Sequence, residues 1–273
     1  MGRIMAFLGR ALMTLKSTMP RPQPYGWFHI STTLASVLLG LLLSRLVGGK
    51  SQARVRTVFG VTAATVIVAE VLKQVLMSLE YDGTSFSWEY PWEIFPFQFC
   101  STPMYIGLIA ALTKGRAHRA CSDYLGSFAL FAGMAVLAYP AQIYHEFVVI
   151  NIQTTLCHGS MIALGVYLLK TGYVQPSRRA WYRATAVFFV NVGIAVLMNE
   201  IAFRVGLLET DMFNMFFFSP YCEPTMVVYS WVQATVPYPW CLLIYVLGFS
   251  SLAGGVLLGA KLLHRSGKSV DRR

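Results

Sequence analysis

Apolar positions along this chain gather into runs of about twenty residues, separated by short polar clusters, and do not alternate in the period of two that marks a strand. Runs of that length match the roughly 20 helical residues needed to cross a bilayer. Seven spans are expected, over 27–47, 57–79, 95–113, 125–143, 147–169, 184–208 and 239–263. All should be helices, because a closed barrel needs short alternating strands. The expected fold class is all-α: a polytopic membrane helix bundle forming one integral domain over 27–263. Residues 1–26 read as an interfacial amphipathic segment, since Arg3, Arg10 and Lys16 break up the apolar core that a cleaved signal requires. Residues 264–273 form a basic tail, and the aromatic stretch 209–238 is expected to pack over the ends of the helices.

Composition strengthens this reading. Of 273 residues, 56% are hydrophobic and 12% charged, where soluble proteins carry about 25% charged residues. The formal charge of +10 is spread over short loops and not gathered in one patch, so no nucleic-acid partner is implied. Arg45, Lys50, Arg54 and Arg56 follow the first span; Lys114, Arg116 and Arg119 follow the third; Lys170, Arg178, Arg179 and Arg183 follow the fifth. The opposite loops hold Glu80, Asp82, Glu89, Glu93, Glu146, Glu209, Asp211 and Glu223 without Lys or Arg. By the positive-inside rule the C-terminus is cytoplasmic, and seven spans put the N-terminus outside. The five cysteines have neither zinc-type spacing nor the even count of a disulfide framework.

Charged and amide side chains inside the spans are the candidates for chemistry, because each costs at least ~2.5 kcal/mol at a helix centre and faces protein interior by default. Glu70, Lys73 and Gln74 share one face of the second span; Asn151, Thr154, Thr155 and His158 share one of the fifth. The sixth carries Asn199 and Glu200 with Arg204 one turn on, and the third opens with Gln98, Cys100, Ser101 and Thr102. Counting about 1.5 Å per residue from the acidic ends puts Cys100 about 8 Å deep, Lys73 about 9 Å, Glu200 about 12 Å, Glu70 about 14 Å and His158 about 16 Å. These depths predict one polar layer in the outer half of the membrane and an apolar inner half.

A cysteine and a histidine on separate helices supply a nucleophile and a base for acyl transfer, and Lys73 offers a positive charge beside a buried thiol. Pro103 frees the Phe99 carbonyl and predicts an irregular helix beside Cys100; Gln98, Ser101 or the loosened backbone then offer donors to an oxyanion. His158 and Cys157 point about 100° apart on a helix, a poor start for a metal site. The same buried charges also fit a small-solute or proton-coupled transporter, and a non-catalytic membrane scaffold predicts that Cys100 and His158 are replaceable.

Four landmarks in order carry a resemblance: Pro96-Phe97-Gln98-Phe99-Cys100; Gly133-Met134-Ala135-Val136-Leu137-Ala138-Tyr139-Pro140; Thr155-Leu156-Cys157-His158-Gly159; and Asn214-Met215-Phe216-Phe217-Phe218-Ser219-Pro220 with Pro239-Trp240 downstream. The chain resembles the YwaF-type bacterial integral membrane proteins, which are similar to the transmembrane-protein-164 family, whose members include acyltransferases acting on phospholipid acyl chains. The resemblance implies a catalytic pair at Cys100 and His158, membrane phospholipids as substrates, no metal or soluble cofactor, and a multi-pass place in a bacterial plasma membrane. Gln98 stands where the bacterial pattern has histidine, and Cys241 where tyrosine is common. Supporting or headgroup-binding roles are expected for Gln98, Ser101, Glu70, Lys73, Asn199, Glu200, Arg204 and Asn214. The oligomeric state stays open, although Gly255 and Gly259 would let another helix approach closely.

Overall fold

The computed structural model describes residues 2–49, 51–140, 143–209, 212–223, 226–238 and 240–270. Lys50, Asp211, Pro239 and residues 271–273 of the tail lie outside the described residues.

Among the described residues six helices are long and apolar enough to cross a membrane: Trp27–Leu46 (α2), Gln52–Ser78 (α3), Gly115–Ala138, Val148–Lys170 (α7), Arg178–Arg204 (α8) and the Trp240–Leu263 part of α10, which continues to Val270. The acidic-side ends of α2, α3, α7 and α10 fall within a residue of the expected positions, whereas the fourth and sixth expected spans stop at Ala138 and Arg204, short of 143 and 208, and α3 and α8 begin five or more residues earlier than expected. Hydropathy reports only the hydrocarbon; these helices run on through basic turns and end on Ser51 and Ser177, whose hydroxyls accept the Arg54 and Ala180 N–H groups. The fourth span begins earlier still. Residues Gly115–Tyr124 (α5) join Leu130–Ala138 (α6) through a buried π turn at Leu125–Ala129.

The third expected span takes a different form. Only Thr102–Leu112 (α4) is helical, 11 residues and about 16 Å of rise, half a bilayer. The half of that stretch toward the acidic side is irregular backbone over 95–101, and α4 covers the half toward the basic side, where Arg56 Nε donates to the Ala111 carbonyl at 2.6 Å. Irregular backbone survives at such depth only when protein encloses it.

Glycines set the closest helix contacts. A methyl on Gly40 of α2 would lie 2.6 Å from the Ala163 carbonyl of α7, and one on Gly165 of α7 would lie 2.5 Å from Leu130 of α6. Tyr124, Phe128, Tyr167 and Phe188 are fully buried around the π turn, while Leu38, Val68 and Leu197 project outward as a lipid-facing surface.

The acidic side is covered. Gly2–Leu15 (α1) packs Gly9 against the Tyr81 ring of a hairpin formed by Leu79–Tyr81 (β1) and Phe86–Trp88 (β2), and the Met19 N–H reaches the Glu146 carbonyl at 2.8 Å. The N-terminal segment therefore lies on the acidic side, exposing Ile4, Phe7 and Leu8 along one face. Residues 212–223 and Val227–Thr235 (α9) close over the helix ends, with Met215, Phe216 and Phe218 fully buried.

Candidate functional site

Cys100 is the last residue but one before α4, in the irregular stretch that α4 continues. Local chemistry builds that stretch. Phe97 and Phe99 enter an aromatic cluster, Phe99 lying 5.0 Å from Phe249, 5.4 Å from Phe188 and 5.6 Å from Phe216 between ring centroids. Pro103 occupies the first turn of α4, where its missing N–H costs nothing. The Phe99 carbonyl accepts from the Thr102 hydroxyl at 2.9 Å, so the irregularity expected from Pro103 is present and satisfied. The N–H groups of Ser101 and Thr102 both donate to the Gln98 carbonyl, which removes them as oxyanion donors. Among the described residues the Ser101 hydroxyl, beside the Cys100 sulfur, is not committed elsewhere.

Helix α7 meets this turn through Cys157, whose thiol donates to the Cys100 carbonyl at 3.4 Å. His158, the next residue, is buried, and its Nδ1 lies 2.9 Å from the Thr154 carbonyl. A carbonyl only accepts, so Nδ1 carries the proton of the neutral ring and Nε2 presents its lone pair. No hydrogen bond joins Cys100 to His158 among the described residues.

On the α3 side, Glu70 is 4% exposed and fully engaged. Its Oε1 meets Lys73 Nζ at 2.7 Å and Gln74 Nε2 at 2.6 Å, and its Oε2 accepts from Gln153 Nε2 at 2.6 Å. Tyr90 donates to Gln74 Oε1 at 2.6 Å, and Gln74 Nε2 also reaches the Ile94 carbonyl. Glu70 thereby ties α3 to α7 through Gln153, and both helices pack against the pass that carries Cys100. Gln153 and Tyr90 escaped the sequence reading: Gln153 sits off the Asn151–Thr154–His158 face, and Tyr90 lies outside every span. His29 escaped it too; its Nδ1 accepts the Tyr25 N–H and its Nε2 donates to the Leu137 carbonyl at 2.8 Å.

Residues 24–255, from just before α2 into α10, match the model of the TMEM164 family. The chain belongs to the TMEM164 family. No curated protein and no solved structure gives a significant match.

Several members of the expected polar layer of this TMEM164-family chain hold loops. Gln98 Nε2 donates to the Asn214 carbonyl and its Oε1 accepts the Phe216 N–H, both at 3.0 Å. Asn199 grips Met215 the same way, at 3.0 and 2.7 Å, and Asn214 Oδ1 accepts the Ser219 N–H. Asn151 clasps the His145 backbone. Glu200 and Arg204 are not in the interior: they form an exposed pair at 2.7 Å, with the Arg204 side chain 75% exposed and Tyr221 donating to Glu200 at 2.6 Å. The intrahelical pairing that lowers the cost of insertion accounts for them.

The half toward the basic side, expected to be apolar, is not apolar throughout, which corrects the expectation. Asp123 of α5 is buried against Arg183 of α8 at 2.6 Å, and buried His118 links the Ala110 carbonyl to the Tyr173 hydroxyl. A hydropathy window takes 115–124 for a loop because it cannot see that partners on neighbouring passes satisfy these side chains.

Proposed function

We propose that this protein is an integral membrane acyltransferase that moves a fatty acyl chain between phospholipids through an acyl-enzyme on Cys100. The observation that carries it is the position of Cys100: a thiol in non-helical backbone at the head of a half-length pass, its carbonyl in contact with Cys157, the neighbour of His158 on α7. The reaction class is the one implied by the resemblance to acyltransferases of this family.

His158 Nε2 takes the thiol proton, and the sulfur attacks the ester carbonyl of a phospholipid. The ester C–O bond breaks, the imidazolium returns the proton to the departing lysophospholipid oxygen, and the acyl group remains as a thioester. The hydroxyl of a second lysophospholipid then gives its proton to His158 and attacks; the C–S bond breaks and the proton returns to sulfur. The Ser101 hydroxyl is placed to donate to the oxyanion of each step. Substrate closes the gap between Cys100 and His158, as resting-state catalytic contacts are commonly loose. Glu70, itself held by Gln153, holds Lys73, and the acidic side faces out of a bacterial plasma membrane with the C-terminus in the cytoplasm.

Lipid profiles and labelling by an acyl-specific activity probe test this in membranes carrying wild type, Cys100→Ala, His158→Ala and Cys157→Ala. Loss in the first two variants with retention in the third supports the scheme. Equal labelling and equal lipid profiles in all four overturn it. A proteoliposome flux that needs Glu70 and ignores Cys100 would establish a transporter instead.

A further inference from the structure

At the basic end of the bundle, far along the chain from Cys100, the start of α8 and the 254–261 stretch of α10 enclose a groove of about 280 Å³ that opens outward. Trp181, Gly254, Leu257 and Leu258 line its apolar part, and Arg178 and Lys261 stand over it. The floor is built, not incidental. Trp181 Nε1 donates to the Ser250 carbonyl at 2.8 Å, and Gly254 leaves room for the indole, since a methyl there would lie 3.2 Å from Nε1. Among the described residues neither cation has a carboxylate partner; the ion pairs of this chain involve Lys73, Arg183 and Arg204.

We infer that this groove binds one phospholipid with an anionic headgroup from the leaflet on the basic side. Its acyl chain lies along Leu257, Leu258 and Trp181, and its phosphate sits between Arg178 and Lys261. Charge complementarity decides the occupant: two cations without a carboxylate partner among the described residues, at an apolar slot, match an anionic head on an apolar tail, and basic sites between helices at this level suit acidic lipids. A zwitterionic lipid fills the slot equally well but leaves the cations less well matched. The site is independent of the proposed acyl-transfer centre.

The purified full chain in nanodiscs of phosphatidylcholine, with or without phosphatidylglycerol, tests this by native mass spectrometry of retained lipid. Phosphatidylglycerol is expected to be retained over phosphatidylcholine, and Arg178→Gln and Lys261→Gln each weaken that retention about fivefold. Gly254→Leu, which drives Trp181 from its seat, abolishes it. Arg179→Gln removes the same charge from a neighbouring exposed position and leaves retention unchanged. Equal retention in all variants, the same loss in Arg179→Gln, or full displacement by inorganic phosphate would overturn the inference. So would a protein dimer that fills the groove whatever the lipid.

Discussion

Glu70 shows how a charge is kept inside an apolar bundle: a 2.7 Å partner in Lys73 and amides from Gln74 and Gln153 fill both carboxylate oxygens. Removing it as Glu70→Ala strands the Lys73 ammonium and is expected to cost about 3–5 kcal/mol, read as a lower unfolding midpoint in detergent. Lys73→Met in the same background recovers part of the loss, and additive effects would refute the coupling. At the other extreme of exposure, Asp82 accepts from the Ser85 and Thr84 N–H groups, each at 2.7 Å, and from both hydroxyls, which holds its carboxyl well below the usual carboxylate range. A depressed carboxyl contributes stability above its unfolded value and loses it as pH falls through its folded one. Hydrogen exchange at Thr84 and Ser85 should therefore stay protected down to pH values where an ordinary aspartate is protonated, and Asp82→Asn should flatten that dependence. The pairing of Glu70 with Lys73 is legible in sequence because both sit on one helix face. Gln153 is not, since its partner is 83 positions away.

Among the elements, α4 and the 212–223 cap explain each other. The cap bends through Phe216 and Phe217 at φ of 61° and 58°, left-handed backbone that aromatic side chains rarely adopt. Two carboxamides clamp it there: Gln98 from the irregular pass and Asn199 from α8. A neutral imidazole also offers one donor and one acceptor, so a histidine at position 98 should keep the clasp. Gln98→His should hold the cap closed to protease, whereas Gln98→Ala leaves the Phe216 N–H unpaired, costs about 1–3 kcal/mol and opens cleavage near 212–223. Helix α2 depends on a different device. Gly40→Leu forces it from the Ala163 backbone, an overpacking loss of about 1–3 kcal/mol, measurable as a shift in the same unfolding midpoint. Hydropathy located every long helix but not the half-length of α4, because the apolar run over 95–113 is the same whether its first seven residues are helical or turned. Only the distant loop that Gln98 grips selects the turn.

For the molecule as a whole, if the irregular segment plus α4 crosses as a seventh pass beside the six long helices, α1 and the C-terminal end of α10 lie on opposite sides. Cysteine-accessibility labelling in intact cells, on a background with the native cysteines replaced, should report Thr84→Cys from outside and Arg116→Cys only after permeabilisation; the reverse pattern would invert the orientation. The amino-acid sequence by itself determined the membrane class, the helical fold and the gathering of acidic and basic residues at opposite helix ends, because these follow from local runs of hydropathy and charge. Tertiary structure alone decided which of those polar residues are spent on loops and which converge. Asn199, Asn214 and Gln98 went to the cap and Glu200 with Arg204 to the surface, while Gln153 of α7 joined Glu70 and Lys73 of α3. Two residues at one depth are neighbours only if their helices are adjacent and turned toward each other, and that is set by the packing of glycines and aromatic rings between passes distant in the chain.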